Sequence, residues 1–162
     1  MPLSSGQYTA QVASAVGSGV ALIEVYDSDL GSPSATFANV SARNQVGTGD
    51  NVLVVGFAIS GLAEKTLLIR AVGPTLAFAV TGSLPDPKLE VFRGSTLLQS
   101  NDDWGGTTTL STAFSQVGAF PLPATSKDAA LLVTLQPGSY TAQVSGVGGT
   151  TGVALIEVYE LP

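Results

Sequence analysis

The strand-like octapeptide "GVALIEVY" occurs twice, at 19–26 and again at 152–159. Upstream of each copy stands "YTAQV", at 8–12 and at 140–144, and Leu3 and Gly6 align with Leu135 and Gly138. The two copies differ by one residue, in the loop between the conserved pieces. A duplicated segment of this size is rarely accidental, and it bears first on how the chain is organised.

Each copy reads as a β-hairpin. "YTAQV" alternates Tyr8, Ala10 and Val12 against Thr9 and Gln11, and "VALIEVY" is rich in β-branched residues. After the first copy, "DSDLGSPSAT" is a linker of Ser, Asp, Gly and Pro. Further strands are expected at 37–42, 51–60, 66–72, 88–92, 96–100, 128–135, 139–145 and 152–159, with Gly and Pro at nearly every junction. A short helix is expected at 109–117, where Leu110, Ala113, Phe114 and Val117 recur at helical spacing. Many short strands with regular turn signals specify a sandwich or barrel. In "VLVVGFAIS" and "AALLVTL" both strand faces are apolar. A two-layer sandwich needs only one apolar face per strand, so a loop, a neighbouring domain or another chain must cover the second.

Composition narrows the function. Charged residues are 11% of the chain, against about 25% in typical soluble domains. The net charge is −6 with only six basic residues, which leaves no basic patch for nucleic acid. No apolar run approaches the ~20 residues of a membrane helix, and no amphipathic anchor is present, so membrane insertion is not expected. An outer-membrane barrel would carry a polar lumen and aromatic rims, whereas aromatics here are 7% and scattered. Cysteine is absent, which excludes disulfides and thiolate chemistry. Histidine is also absent, which removes the commonest general base and metal ligand. No signal peptide is visible at Met1, as in a processed chain or a piece of a longer one.

From Leu84 to Tyr159 the chain carries "LPDPKLEVFRGSTLLQSNDDWGG", a spacer, "KDAALLVTLQPGSYTAQV", a Gly-rich turn and a last strand. Asp86, Pro87, Leu89, Asn101, Asp102, Asp103, Pro137, Gly138 and Tyr140 carry the pattern. This stretch resembles bacterial pre-peptidase C-terminal domains, and more so the tandem repeat units of large secreted bacterial proteins. The upstream stretch 39–76 resembles the start of such a unit. The resemblance implies an all-β, jelly-roll-like antiparallel β-sandwich with a non-catalytic role outside the cell. It places the complete unit at 37–162, a linker at 28–36, and at 1–27 an extra N-terminal hairpin that duplicates the closing one.

Candidate sites follow from side-chain chemistry. Asn101, Asp102 and Asp103 in "SNDDWGG" offer the hard oxygen ligands that Ca²⁺ takes; the competing reading is an Asx turn bonding local amides. Asp86 and Asp128 are the carboxylates that other loops can add. A pair of acid/base carboxylates among Asp50, Asp86, Asp102, Asp103 and Asp128 competes with plain turn aspartates. Trp104 is a candidate for stacking on a sugar, or a cap on the sandwich end. Asn39-Val40-Ser41 fits the N-glycosylation acceptor pattern. In the leading copy Tyr8, Val12, Val20, Leu22, Ile23, Val25 and Tyr26 form a candidate assembly interface. The expectation is a non-enzymatic extracellular structural subunit without cofactor, or with Ca²⁺ alone. Its partner is itself, and it assembles head-to-tail by hairpin donation into a filament or surface array. The alternative is a carbohydrate- or protein-binding accessory module of a larger secreted enzyme or adhesin.

Overall fold

The structure is a computed structural model that describes residues 3–17, 19–26 and 37–162. The chain divides into two compact units, Met1–Phe37 and Ala38–Pro162, each considered by itself. The linker expected at 28–36 lies outside the described residues.

The second unit is an all-β sandwich with one α-helix. Its strands are β1 (Asn39–Val46), β2 (Leu53–Ile59), β3 (Lys65–Val72), β4 (Pro87–Arg93), β5 (Thr96–Asn101), β6 (Ala129–Leu135), β7 (Gly138–Gly146) and β8 (Gly152–Glu160). They form two four-stranded antiparallel sheets, in the orders β1-β8-β3-β6 and β2-β7-β4-β5. Every strand expected from the sequence within this unit is present, with ends displaced by a few residues at most. The first strand shows the largest displacement, running from Asn39 to Val46 rather than over 37–42.

Of the consecutive strand pairs only β4 and β5 lie side by side in one sheet; every other connection crosses between the layers. This corrects the reading of the closing segment. β7 belongs to one sheet and β8 to the other, joined by a 3-10 turn at Val147–Gly149. The segment is therefore a β-arch and not a hairpin, and neither strand hydrogen-bonds to the other. Both strands are central in their sheets: β7 lies between β2 and β4, and β8 between β1 and β3.

The core between the sheets follows the period of two. In β7, Tyr140, Ala142 and Val144 point inward and are buried, opposite Phe57, Val55 and Leu53 of β2. In β8 the inward residues are Ala154, Ile156 and Val158. Tyr140 also stacks on Phe57 with ring centroids 5.7 Å apart, and its hydroxyl donates to the Gln136 carbonyl at 2.7 Å.

A second apolar cluster lies on the outer face of the β1-β8-β3-β6 sheet. Leu68 and Val72 of β3, Ala130 of β6 and Tyr159 of β8 pack there against Phe114, Trp104 and Leu122. The cover comes from α1 (Thr108–Gln116) and the loop that follows it. The Thr107 hydroxyl oxygen starts this helix by accepting from the Leu110 amide. The doubly apolar β6 strand is thus covered within its own unit. The outer face of β2 is not: Val54 remains 49% exposed.

Truncating a buried aromatic leaves a cavity and forfeits its burial. Tyr140→Ala is expected to destabilise the sandwich by about 3–5 kcal/mol, read from urea denaturation followed by intrinsic fluorescence.

Candidate functional site: the closing arch and its charged anchor

β8 is anchored by an ion pair on the sheet's outer face. Arg70 of β3 stands directly opposite Glu157 of β8 in the antiparallel register. Arg70 is fully buried and Glu157 is 5% exposed. The Arg70 Nε donates to Glu157 Oε2 at 2.9 Å, its Nη2 donates to the same oxygen, and its Nη1 donates to the Phe120 carbonyl at 2.6 Å. Aromatic rings complete the cage: the guanidinium carbon lies 4.4 Å from the centroid of Phe120, 4.9 Å from Phe114 and 5.9 Å from Tyr159. The other Glu157 oxygen accepts from the Tyr159 hydroxyl at 2.8 Å. Burial, then the charge of Glu157 and the bond to it, push the Tyr159 hydroxyl up to about 12.

Both oxygens of Glu157 are occupied, so the cage is an anchor rather than an acid/base site. Neither residue was singled out from the sequence. The available signal was a lone charge in each of two otherwise apolar strands, "TLLIRAV" and "VALIEVY", since a buried charge needs a partner.

Four other candidate residues, Asp86, Asn101, Trp104 and Asp128, serve local architecture. Asp128 is fully buried and accepts from the Gly73 amide at 2.8 Å, the Thr75 amide at 3.3 Å and the Thr75 hydroxyl. It pins the loop that enters the 3-10 turn at Pro74–Phe78. Asp86 pairs with Lys127, and the hydrogen bond to Asp86 holds the Lys127 ammonium above its ordinary pKa.

Asn101 turns its side chain onto backbone. Its Oδ1 accepts from the Ala130 amide at 3.0 Å and its Nδ2 donates to the Asp103 carbonyl at 2.9 Å. Asp102 and Asp103 are exposed. Among the described residues no three acidic side chains gather as a metal-binding group. The geometry around Asn101 is that of the local backbone-bonding reading.

Trp104 is only 4% exposed, and its Nε1 donates to the Pro123 carbonyl at 3.0 Å and to Ser126 Oγ at 3.2 Å. That corrects its candidacy for sugar stacking, because the ring packs on Phe114 with centroids 5.3 Å apart. Asn39 is exposed at the start of edge strand β1.

The leading copy presents the same sequence in different surroundings. Its described residues, 3–17 and 19–26, are all exposed and pair in no strand. The hairpin expected there is therefore not formed among these residues. The physical reason follows from its twin: the strands of an arch bond to neighbours in two sheets and supply no ladder to each other. Val20 is 102% exposed, Leu22 81% and Tyr26 78%; Tyr8, Val12, Ile23 and Val25 are exposed as well. Two local contacts are shared by both copies. The Tyr8 hydroxyl donates to the Ser4 carbonyl at 2.7 Å, as Tyr140 does to the Gln136 carbonyl. Tyr26 donates to Glu24 Oε1 at 2.9 Å, as Tyr159 does to Glu157, and this bond raises the Tyr26 pKa.

No protein-family model matches the chain, and no curated protein is similar to it. Among solved structures, the chain is similar to the pre-peptidase C-terminal domain of collagenase from Bacillus anthracis. The TM-score is 0.45 and the identity 11%, over 74% of this chain and 88% of that one.

Removing one partner of the buried pair leaves the other unpaired in a low-dielectric site. Arg70→Met is expected to cost about 3–5 kcal/mol in urea denaturation. The double variant Arg70→Met/Glu157→Leu should recover most of that loss, because it removes both charges together.

Tyr159 predicts a pH dependence. Its folded pKa of about 12 lies above the unfolded value near 10. The protonated hydroxyl therefore contributes its full stability below about pH 10, and that contribution is lost as pH rises towards about 12. Denaturation midpoints measured from pH 9 to about pH 11.5 should fall steeply in the parent chain and less steeply in Tyr159→Phe.

Proposed function

We propose that the chain is a non-catalytic, extracellular structural subunit. It assembles head-to-tail with copies of itself into a filament or surface array, using the leading copy as the donated element. The observation that carries this reading is the pairing of a complete sandwich with a second copy of its own closing arch, whose apolar side chains are exposed. A strand-forming segment without neighbours is marginal in water, and seating it in a sheet satisfies its amides and buries its apolar face. A contact that runs from one end of a subunit to another site on the next propagates as a filament when it does not close. Location outside the cell follows the sequence resemblance to repeat units of secreted proteins. The non-catalytic reading is supported by the lack of histidine and cysteine and by the structural engagement of Asp86, Asp128 and Glu157.

The alternative is a carbohydrate- or protein-binding accessory module, of which the carbohydrate form loses its stacking residue, since Trp104 is buried.

Deletion of residues 1–27, followed by light scattering and negative-stain electron microscopy, tests the proposal. Folded monomers are expected from the shortened chain and polymers from the parent. Polymers of unchanged length from the shortened chain would overturn it. Tyr8→Ala is expected to shorten the polymers while leaving the urea midpoint of the sandwich unchanged.

A further inference from the structure

The geometry points to the acceptor for the leading copy: the slot that β7 and β8 themselves occupy. The segment from Leu3 to Tyr26 takes the place of the C-terminal arch in a sandwich of this same sequence, either in its own chain or in a second copy. The inference deepens the donor reading and rests on it only in treating the leading copy as an inserting element.

The residues that the slot inspects are the same in both copies. In β7 the inward side chains are Tyr140, Ala142 and Val144; the leading copy offers Tyr8, Ala10 and Val12. In β8 they are Ala154, Ile156 and Val158; the leading copy offers Ala21, Ile23 and Val25. Glycine is kept where the slot has no room. A Cβ at Gly152 would stand 2.6 Å from the Leu84 amide nitrogen and 2.7 Å from its Cα, and the equivalent position is Gly19. Gly138 instead holds a positive φ of 152°, which disfavours any side chain, and its equivalent is Gly6. Glycine is dropped where only the turn asks for it. A Cβ at Gly146 would meet the Thr150 carbonyl oxygen at 1.9 Å, and the leading copy has Ser14 there in a turn one residue shorter.

The decisive retention is Glu24. At the exposed edge of a sheet a glutamate contributes little whether paired or not. In the β8 slot the equivalent Glu157 is required, because it neutralises the buried Arg70. The leading copy keeps that glutamate together with the tyrosine that bonds to it. A donor made only to cover an apolar edge has no need of either.

Topology allows the exchange within one chain. Tyr159 stands opposite Asn39 in the register of β8 with β1. With Tyr26 in the place of Tyr159, the twelve residues 27–38 would close the loop to β1. Antiparallel neighbours lie about 5 Å apart, and twelve residues reach about 40 Å when extended. A second copy can supply the segment equally well; each chain then holds two arches and one slot.

The test removes residues 138–162 and introduces Leu22→Cys and Arg43→Cys into an otherwise cysteine-free chain. Arg43 stands opposite Leu155, the equivalent of Leu22, so a disulfide reports that the leading copy sits in the slot. The pair Arg43→Cys/Leu155→Cys, in the chain lacking residues 1–27, sets the yield that full occupancy gives. The expected result is a cooperatively folded chain that forms the 22–43 disulfide at that yield. A link within one chain identifies the intramolecular source, and a link between chains identifies a second copy. An unfolded chain, or a folded one without the link, would overturn the inference. As a second readout, Glu24→Gln in the chain lacking 138–162 should lower the denaturation midpoint as much as Glu157→Gln does in the chain lacking 1–27. The link in a full-length protein that stays monomeric would uphold the slot and sink the head-to-tail reading. Filaments without the link would do the reverse.

Discussion

The cross-strand pair of Arg70 and Glu157 sets the register on which the β1-β8-β3-β6 sheet depends. β8 lies between β1 and β3, so its position fixes theirs. A slip of one residue would turn Glu157 into the core between the sheets and Ile156 out of it, because successive side chains face opposite ways. Apolar burial alone specifies this poorly, since β8 is apolar on both faces. The charge breaks that ambiguity. The pair's own stabilisation is limited, as desolvating two ions offsets most of their attraction. Its larger effect is the penalty it places on every misaligned alternative.

That charge can stay buried only because the outer face of its sheet is roofed. Phe114 on α1 and Phe120 on the following loop lie against the guanidinium, and Trp104 wedges beside Phe114. The loop that carries Phe120 is held in turn by Trp104, whose indole donates to the Pro123 carbonyl. Asp128 performs the same kind of work at the entry to the 3-10 turn, where it accepts two amides and a hydroxyl. Asn101, Trp104 and Asp128, in and near "SNDDWGG", thus organise backbone. Their density in a charge-poor chain reflects how much irregular backbone must be satisfied there.

The strands were legible in the sequence because Gly and Pro mark their ends and the inward positions alternate. The helix was legible from Leu110, Ala113, Phe114 and Val117. What periodicity does not reveal is the identity of a strand's neighbours. "YTAQV" and "GVALIEVY" joined by a Gly-rich loop read equally as a hairpin and as an arch, since the period of two assigns a face and never a sheet. The Arg70–Glu157 pair was illegible for a related reason: the two residues lie far apart in sequence and meet only through the strand order. For Trp104 the sequence left sugar stacking and a cap on the sandwich end side by side, because a loop tryptophan beside acidic residues carries no sign of the α1 layer that buries it.

The arch topology changes what a duplicated closing segment can do. A free hairpin brings its own ladder and can add to an exposed edge with half its hydrogen bonds already made. A free arch brings none; each of its strands must find two neighbours, in two different sheets, at once. Partial docking therefore gains little, and insertion is all or nothing. Because the octapeptide is identical in both copies, the leading copy would offer the β8 slot the same side chains. The balance then depends on the β7 ends, the two arch turns and the effective concentration that each tether provides. The shorter turn of the leading copy and its link to β1 differ from the connection that holds the C-terminal copy. If the leading copy competes for the slot as proposed, one of the two copies of the closing sequence is always left unseated.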